Sequence, residues 1–258
     1  MSAGYDPVPD IERLGYTERE ATFLCLVCLH TGYFLRRQFL HFIERDDGAM
    51  VQRFLRKAVE REHVCPIEYQ AGRHVYHAKA KLLYRLISQP DSQNRREKSD
   101  QEIQLRLMQL DYILDHPGSR FLESERAKEE FFHGNLRLPL NVLPRRGSEA
   151  AKNSRYFPDR MPIGIRQDYG PFPMVSLAFV DEGQRSLSAF ARWLEQHSDL
   201  LRMLPRGEVV YVAGTERNFE GAEHEFQRRF SRREVTVRGH LLQYDYPLWS
   251  MKYRKATR

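Results

Sequence analysis

Cysteine is scarce in this sequence, with three residues in a chain of 258. So small and odd a number argues against a disulfide framework and favours a reducing compartment. Cys25 and Cys28 are followed by His30, and Cys65 and His63 are candidates to complete a zinc site. However, Cys25 and Cys28 lie in an apolar stretch predicted to be helical, where cysteine is usually a core residue. We therefore expect no metal site and no cofactor.

The sequence also lacks a long apolar run. No stretch approaches the roughly 20 residues that cross a bilayer, and the polar start of the chain has no apolar signal-peptide core. We expect a cytoplasmic protein with no membrane partner. Lys and Arg number 41 against 35 acids, a net charge of +6, which is compatible with polyanionic partners without requiring them.

The first part of the chain predicts three helices followed by a hairpin. Thr17 and Glu20 form a capping box at the start of the first helix. The second helix is predicted from Phe34 to Glu44 and the third from Ala49 to Arg61. After them, HVCPIEY and HVYHA flank the turn QAGR and predict a hairpin, which Pro66 places at a sheet edge. With a closing helix, this order predicts a winged helix-turn-helix domain over residues 16–88.

The third helix has two contrasting faces. Its apolar stripe consists of Val51, Leu55, Ala58 and Val59. The opposite face carries Gln52, Arg53, Arg56 and Lys57. This donor-rich, mostly positive surface suits the major groove of DNA, where Arg reads guanine and Gln reads adenine. We expect Gln52 and Arg53 to contact bases, and Arg56 and Lys57 to read bases or bind phosphate.

Three further arginines extend this predicted interface. Arg36 and Arg37 lie in the first turn of the second helix, where a preceding helix meets the DNA backbone. Arg73, at the hairpin tip, is expected to reach a flanking minor groove. Double-stranded DNA is therefore the predicted partner. A solvated charged face or a protein-interaction module are the alternatives.

A second capping box follows a polar stretch that begins at Gln89. Ser99 and Glu102 form it, and they begin a helix that ends near Asp115. The helix carries an apolar seam of Ile103, Leu107, Leu110 and Leu114. Packing within the same chain explains such a seam, and a homodimer is the alternative. Residues 89–134 are predicted to be a linker and helical segment.

Residues 135–258 change in character. Two nearly continuous apolar strands, MVSLAFV and EVVYVAG, are each followed by a predicted helix. This alternation predicts parallel strands and an α/β domain. Earlier strands are predicted from Leu136 to Leu143 and from Arg155 to Ile165. The tail from Arg232 to Arg258 is basic and aromatic.

Acidic residues lie near two of these strands. Asp159 ends the triplet FPD, and Asp181 and Glu182 follow the strand MVSLAFV. This arrangement resembles the divided acidic pattern of PD-(D/E)-x-K nuclease folds, where carboxylates and a lysine bind a divalent metal and activate water. Gly183 and Gln184 stand where the lysine is required, which favours an inactive, degenerate version. We expect no catalytic residues, with a nuclease using Asp159, Asp181 and Glu182 as the alternative.

The whole layout resembles the replication-relaxation type proteins of plasmids and integrative elements. The matching stretches run from Tyr16 to Phe39, through the FPD corner, and over Leu177–Gln184 and Val209–Ala213. The resemblance implies a winged helix, an α/β domain and DNA-linked work on mobile elements, and it designates no catalytic residues. We expect a transcriptional regulator or a replication or mobilisation accessory factor. A metal-dependent nuclease or nickase and an adaptor, with a protein partner bound by the carboxyl-terminal domain, are the alternatives.

Overall fold

The computed structural model describes residues 5–44, 48–70, 72–146, 155–167, 170–230, 235–244 and 246. They form a mixed α+β protein that divides into two compact units. The first unit contains the described residues up to Leu114 together with Tyr246, and the second runs from Asp115 to Tyr244. Within the described residues, no helix has the length and apolar character needed to cross a membrane.

The first unit follows the predicted order of helices and hairpin. Its elements are α1 (Val8–Glu12), α2 (Glu18–His30), β1 (Tyr33–Leu35), α3 (Arg36–Ile43), α4 (Gly48–Glu60), β2 (Val64–Gln70), β3 (Arg73–Ala78), α5 (Lys81–Leu86) and α6 (Asp100–Leu114). The strands form an antiparallel sheet in the order β1-β3-β2, which confirms the hairpin and the edge position of Pro66. Strand β1 was not predicted, because three residues are too few to show an alternating pattern.

An aromatic core fixes the three predicted helices against one another. Thr17 and Glu20 make both hydrogen bonds of the predicted capping box at the start of α2. The ring centroid of Phe39 in α3 lies 5.0 Å from that of Phe23 and 4.2 Å from that of Phe54. Because all three rings are fully buried, their packing sets the rotation of each helix about its axis.

Helix α6 belongs to the first unit, although it was predicted to lie in a linker and helical segment over residues 89–134. Ile103 and Leu107 are buried against Tyr33, Leu35 and Val75. Polar contacts reinforce this packing, since Arg106 donates to the backbone oxygen of Thr31 at 2.7 Å. Three of the four seam residues, Ile103, Leu107 and Leu110, are buried within their own chain and Leu114 is half-buried, as packing within the chain predicts.

The second unit is built on a five-stranded sheet. Its elements are β4 (Arg120–Phe121), α7 (Glu125–Glu129), β5 (Arg145–Arg146), β6 (Arg155–Tyr156), β7 (Ile163–Arg166), β8 (Met174–Asp181), α8 (Leu187–Met203), β9 (Gly207–Ala213), α9 (Phe219–Phe230) and β10 (Val235–Leu241). The strand order is β10-β9-β8-β7-β4, with β8, β9 and β10 parallel and β7 antiparallel to both of its neighbours. The predicted parallel pair β8 and β9 is confirmed.

Two strand predictions in this unit were wrong. Residues 136–143 form a 3-10 turn at Leu140–Val142 and no strand, since Pro139 lacks the N–H that a sheet requires. The strand predicted from Arg155 to Ile165 is two strands, β6 and β7, separated by a corner that contains Pro158 and Pro162. Strand β10 lies in the predicted basic tail, whose remaining residues are mostly outside the described ranges.

A core substitution tests whether α6 is part of the core of the first unit or only a linker helix. Leu107→Ala should lower the free energy of unfolding of the first unit by about 2–5 kcal/mol, because a fully buried leucine leaves a cavity. Native-state hydrogen exchange of α2 amides measures this unit separately. Gln101→Ala, at an exposed position of α6, is the control and should change the value by less than about 0.5 kcal/mol. An equal, small effect of both substitutions would contradict the integral role.

Candidate nucleic-acid interface

Helix α4 buries one face and exposes the other. Its buried residues are Val51, Phe54, Leu55 and Ala58. Phe54 was missing from the predicted apolar stripe, and Val59, which was included, is only half-buried. Gln52, Arg53 and Arg56 are exposed, one helical turn or less apart. The structure therefore brings these three predicted DNA contacts onto one open face.

The exposed side chains of α4 keep their donors available. Within the described part of the chain, Gln52, Arg53 and Arg56 make no side-chain hydrogen bond or ion pair. A guanidinium presents five N–H donors in a planar fork that matches phosphate oxygens or the edge of guanine. This helix face can therefore bind a polyanion without first breaking an internal contact.

Arg36 and Arg73 lie at two other exposed positions of the first unit. Arg36 is the first residue of α3, and its Nη2 approaches the backbone oxygen of Gly48, at the start of α4, to 3.5 Å. Arg73 begins β3 immediately after Gly72, whose φ of +71° allows the tight hairpin turn. Both remain candidates for contacts with the DNA backbone or the minor groove.

Lys57 and Arg37 are also predicted contacts, but the structure engages both in internal pairs. Lys57 forms an ion pair with Glu20 and donates to the backbone oxygen of Gly15 at 3.0 Å. The fork of Arg37 binds both carboxylate oxygens of Asp111, at 2.6 and 2.8 Å. Burial opposes the charge of Arg37, but Asp111 outweighs this effect and raises the pKa of Arg37. These cations are neutralised within the fold and hold helices together.

Two of the three cysteines of the zinc alternative, Cys25 and Cys28, belong to the core of the first unit, whereas Cys65 is half-exposed. Cys25 and Cys28 are buried, and burial raises the pKa of Cys25 to about 12, which disfavours the thiolate that a metal requires. His63 is also buried, and its Nδ1 lies 2.8 Å from the hydroxyl of Tyr16. Across the described residues, no group of three or more His, Cys, Asp or Glu side chains is placed to hold a metal.

Asp159 lies in the corner between β6 and β7, and its carboxylate binds α8. Oδ2 accepts a hydrogen bond of 2.6 Å from Trp193 Nε1 and lies 3.3 Å from His197 Nε2. Oδ1 accepts from the backbone N–H of Met161 at 3.1 Å. Burial opposes ionisation of Asp159, but the nearby His197 and Lys128 outweigh it and lower its pKa.

Asp181 ends β8 in a separate hydrogen-bond network. Its Oδ1 accepts from the backbone N–H groups of Gly183 and Arg185, at 2.8 and 3.2 Å. Its Oδ2 accepts from the hydroxyl of Tyr211 at 2.6 Å and from Asn218 Nδ2 at 3.2 Å. Four donors therefore satisfy this buried carboxylate.

The three acids of the nuclease alternative thus have different internal partners. Glu182, like Asp181, is buried, and it pairs with Arg185 through a bond of 2.7 Å. Among the described residues, these acids belong to no group of three or more His, Cys, Asp or Glu side chains that is placed to hold a metal. Because a divalent metal needs several oxygen ligands that converge on one point, this arrangement gives the nuclease alternative no support.

The partners of Asp159 were not predicted. Trp193 and His197 are four residues apart on α8, so they lie on one face of the helix. Lys128 is buried in α7, and its Nζ donates to the backbone oxygen of Met161 at 2.7 Å. A histidine and a tryptophan on the apolar side of an amphipathic helix were the only signal that could have indicated a buried polar group.

Comparisons with known proteins identify no relative, since no family model, curated protein or solved structure matches this chain.

The candidate interface is therefore defined by exposure and charge in the first unit. Gln52, Arg53 and Arg56 form its centre, and Arg36 and Arg73 are its flanking positions.

His197 should make the stability of the second unit depend on pH. Its Nδ1 donates to the backbone oxygen of Trp193 at 2.8 Å, and burial lowers the pKa of the ring. Because the folded-state pKa is lowered, the unfolded chain binds the proton more tightly than the folded chain does. The free energy of unfolding therefore has its full value above the unfolded pKa of about 6.5, and it falls as the pH drops below that value. The loss should be visible in urea unfolding between pH 7.5 and 5.5, followed by tryptophan fluorescence.

The test compares the slope of stability against pH in two variants. His197→Gln should flatten it, whereas His224→Gln, at an exposed position of α9, should leave it unchanged. An unaltered slope in the His197 variant would show that another group controls the pH dependence.

Proposed function

We propose that the first unit is a winged helix-turn-helix domain that binds double-stranded DNA. The order α2-β1-α3-α4-β2-β3, with the central strand β3 between β1 and β2, supports this architecture. The observation that carries the proposal is the exposed face of α4. Gln52, Arg53 and Arg56 are exposed there, while the apolar residues of the same helix are buried in the core.

In this proposal α4 is the recognition helix. Gln52 and Arg53 lie in its first half and contact base edges in the major groove. Arg56, one turn after Gln52, reads a base or binds phosphate. Arg36, beside the start of α4, binds the DNA backbone, and Arg73 reaches the adjacent minor groove from the hairpin tip. Arg37 and Lys57 take no part in contact, because Asp111 and Glu20 already neutralise them.

The second unit has a supporting role in this proposal. The strand order β7-β8-β9, with an antiparallel and then a parallel pair, is compatible with a degenerate PD-(D/E)-x-K fold. The carboxylates of Asp159, Asp181 and Glu182 are held by hydrogen bonds and ion pairs within the fold, so we assign the unit no cleavage activity. Together with the resemblance to replication-relaxation type proteins, this supports a regulator or accessory factor of a mobile element. We assign the apolar seam of α6 to the core of the first unit, where Ile103 and Leu107 are buried, and a homodimer and a protein partner stay predictions.

Substituting the arginines of α4 tests the interface directly. Arg53→Ala should weaken binding to a specific duplex by about 1–3 kcal/mol, and Arg53→Ala with Arg56→Ala should weaken it further. Binding should also weaken steeply with salt, because released counterions drive phosphate contact. Fluorescence anisotropy of a labelled duplex over a range of salt concentrations measures both quantities.

Arg192→Ala is the matched control, since it removes an exposed arginine from a helix of the second unit. It should leave affinity and salt dependence unchanged. Equal losses in the control and the α4 variants would indicate nonspecific attraction to a basic protein. No binding by the wild-type chain at low salt would contradict DNA binding and would favour the adaptor alternative.

A further inference from the structure

A residue from near the end of the chain completes the first unit. Tyr246 donates its hydroxyl to Asp111 Oδ2 at 2.8 Å, and the guanidinium of Arg37 lies 5.3 Å from the centre of its ring. The ring also packs against the buried cluster of the first unit that contains Leu35 and Leu107. One tyrosine therefore contacts the two charged groups that join α3 to α6.

The chemistry of Asp111 explains why this tyrosine matters. Its side chain is fully buried, so its charge must be balanced by hydrogen bonds from within the fold. Arg37 supplies two of them and Tyr246 supplies a third. Burial and the carboxylate both raise the pKa of Tyr246 above its ordinary value, so the hydroxyl keeps its proton and donates. The ring lies beside the guanidinium of Arg37, so it occupies space next to the ion pair that water would otherwise fill.

The same ion pair anchors the first turn of α3. Gln38, the residue after Arg37, accepts from the backbone N–H of Leu35 at 2.8 Å and donates to the backbone oxygen of Leu107 at 2.8 Å. Two adjacent residues of α3 are therefore bound to α6. Arg36 comes immediately before them, and its Nη2 lies 3.5 Å from the backbone oxygen of Gly48 at the start of α4. The orientation of Arg36 depends on how firmly this turn is held.

We propose that Tyr246 is a positioning residue of the DNA-binding unit, which closes the Arg37–Asp111 pair and thereby holds Arg36 in place to bind phosphate. The DNA part of this inference rests on the proposed function. The anchoring part concerns only contacts within the first unit, so it can be measured without DNA.

The test uses the full chain with Tyr246→Ala, Tyr246→Phe and a matched tyrosine control. Tyr246→Ala should increase hydrogen exchange in α3 about tenfold, because the ion pair loses the neighbouring ring and its third hydrogen bond. Tyr246→Phe keeps the ring and should give a smaller increase. Tyr244→Ala removes a neighbouring tyrosine that donates to Asp115 in the second unit, and it should leave exchange in α3 unchanged.

DNA affinity then separates positioning from general destabilisation. Tyr246→Ala should weaken binding about threefold to tenfold in the wild-type chain and hardly at all in an Arg36→Ala background, since coupled residues are not additive. Tyr246→Phe should restore part of the affinity.

Three results would overturn the inference. Unchanged exchange in α3 would show that Tyr246 anchors nothing. Altered exchange with additive losses of affinity would show that Tyr246 does not act through Arg36. If the wild-type chain binds no DNA, the proposed function fails and the positioning role fails with it, while the exchange experiment still decides the anchoring part.

Discussion

Burial of the apolar face of α4 is the constraint on which the proposed interface depends. A helix is rigid, so fixing Phe54 and Val51 in the core also fixes the direction of every other side chain along it. Phe54 packs 4.2 Å from Phe39 of α3, measured between ring centroids, and this contact sets the spacing and rotation of the two helices. Gln52, Arg53 and Arg56 are exposed together as a consequence.

The positive charges of the first unit divide into two groups with different roles. The side chains of Arg53 and Arg56 are exposed to solvent. Arg37 and Lys57 instead form ion pairs with Asp111 and Glu20, and these pairs join helices. All four were predicted to lie on one interface, because a cation and its distant partner cannot be paired from composition. Asp111 is 74 residues from Arg37, and only the packing of α6 brings them together.

Local signals predicted much of the fold, and contacts distant in sequence account for the rest. Thr17 and Ser99 begin their helices as expected, since a capping box is a contact between residues three apart. The place of α6 was not predictable, because its apolar seam suits a partner chain as well as its own core. The partners of Asp159 were missed for a related reason, since two strands, β7 and β8, and most of α8 separate it from His197 in sequence.

Recognition of particular bases by α4 is the central claim, and selection from a random duplex library tests it most directly. The wild-type chain should enrich one sequence motif, and Arg53→Ala should relax the preference at one base position while the rest of the motif persists. Enrichment of no motif by the wild-type chain, or an Arg53→Ala variant that retains every base preference, would contradict base reading by this helix.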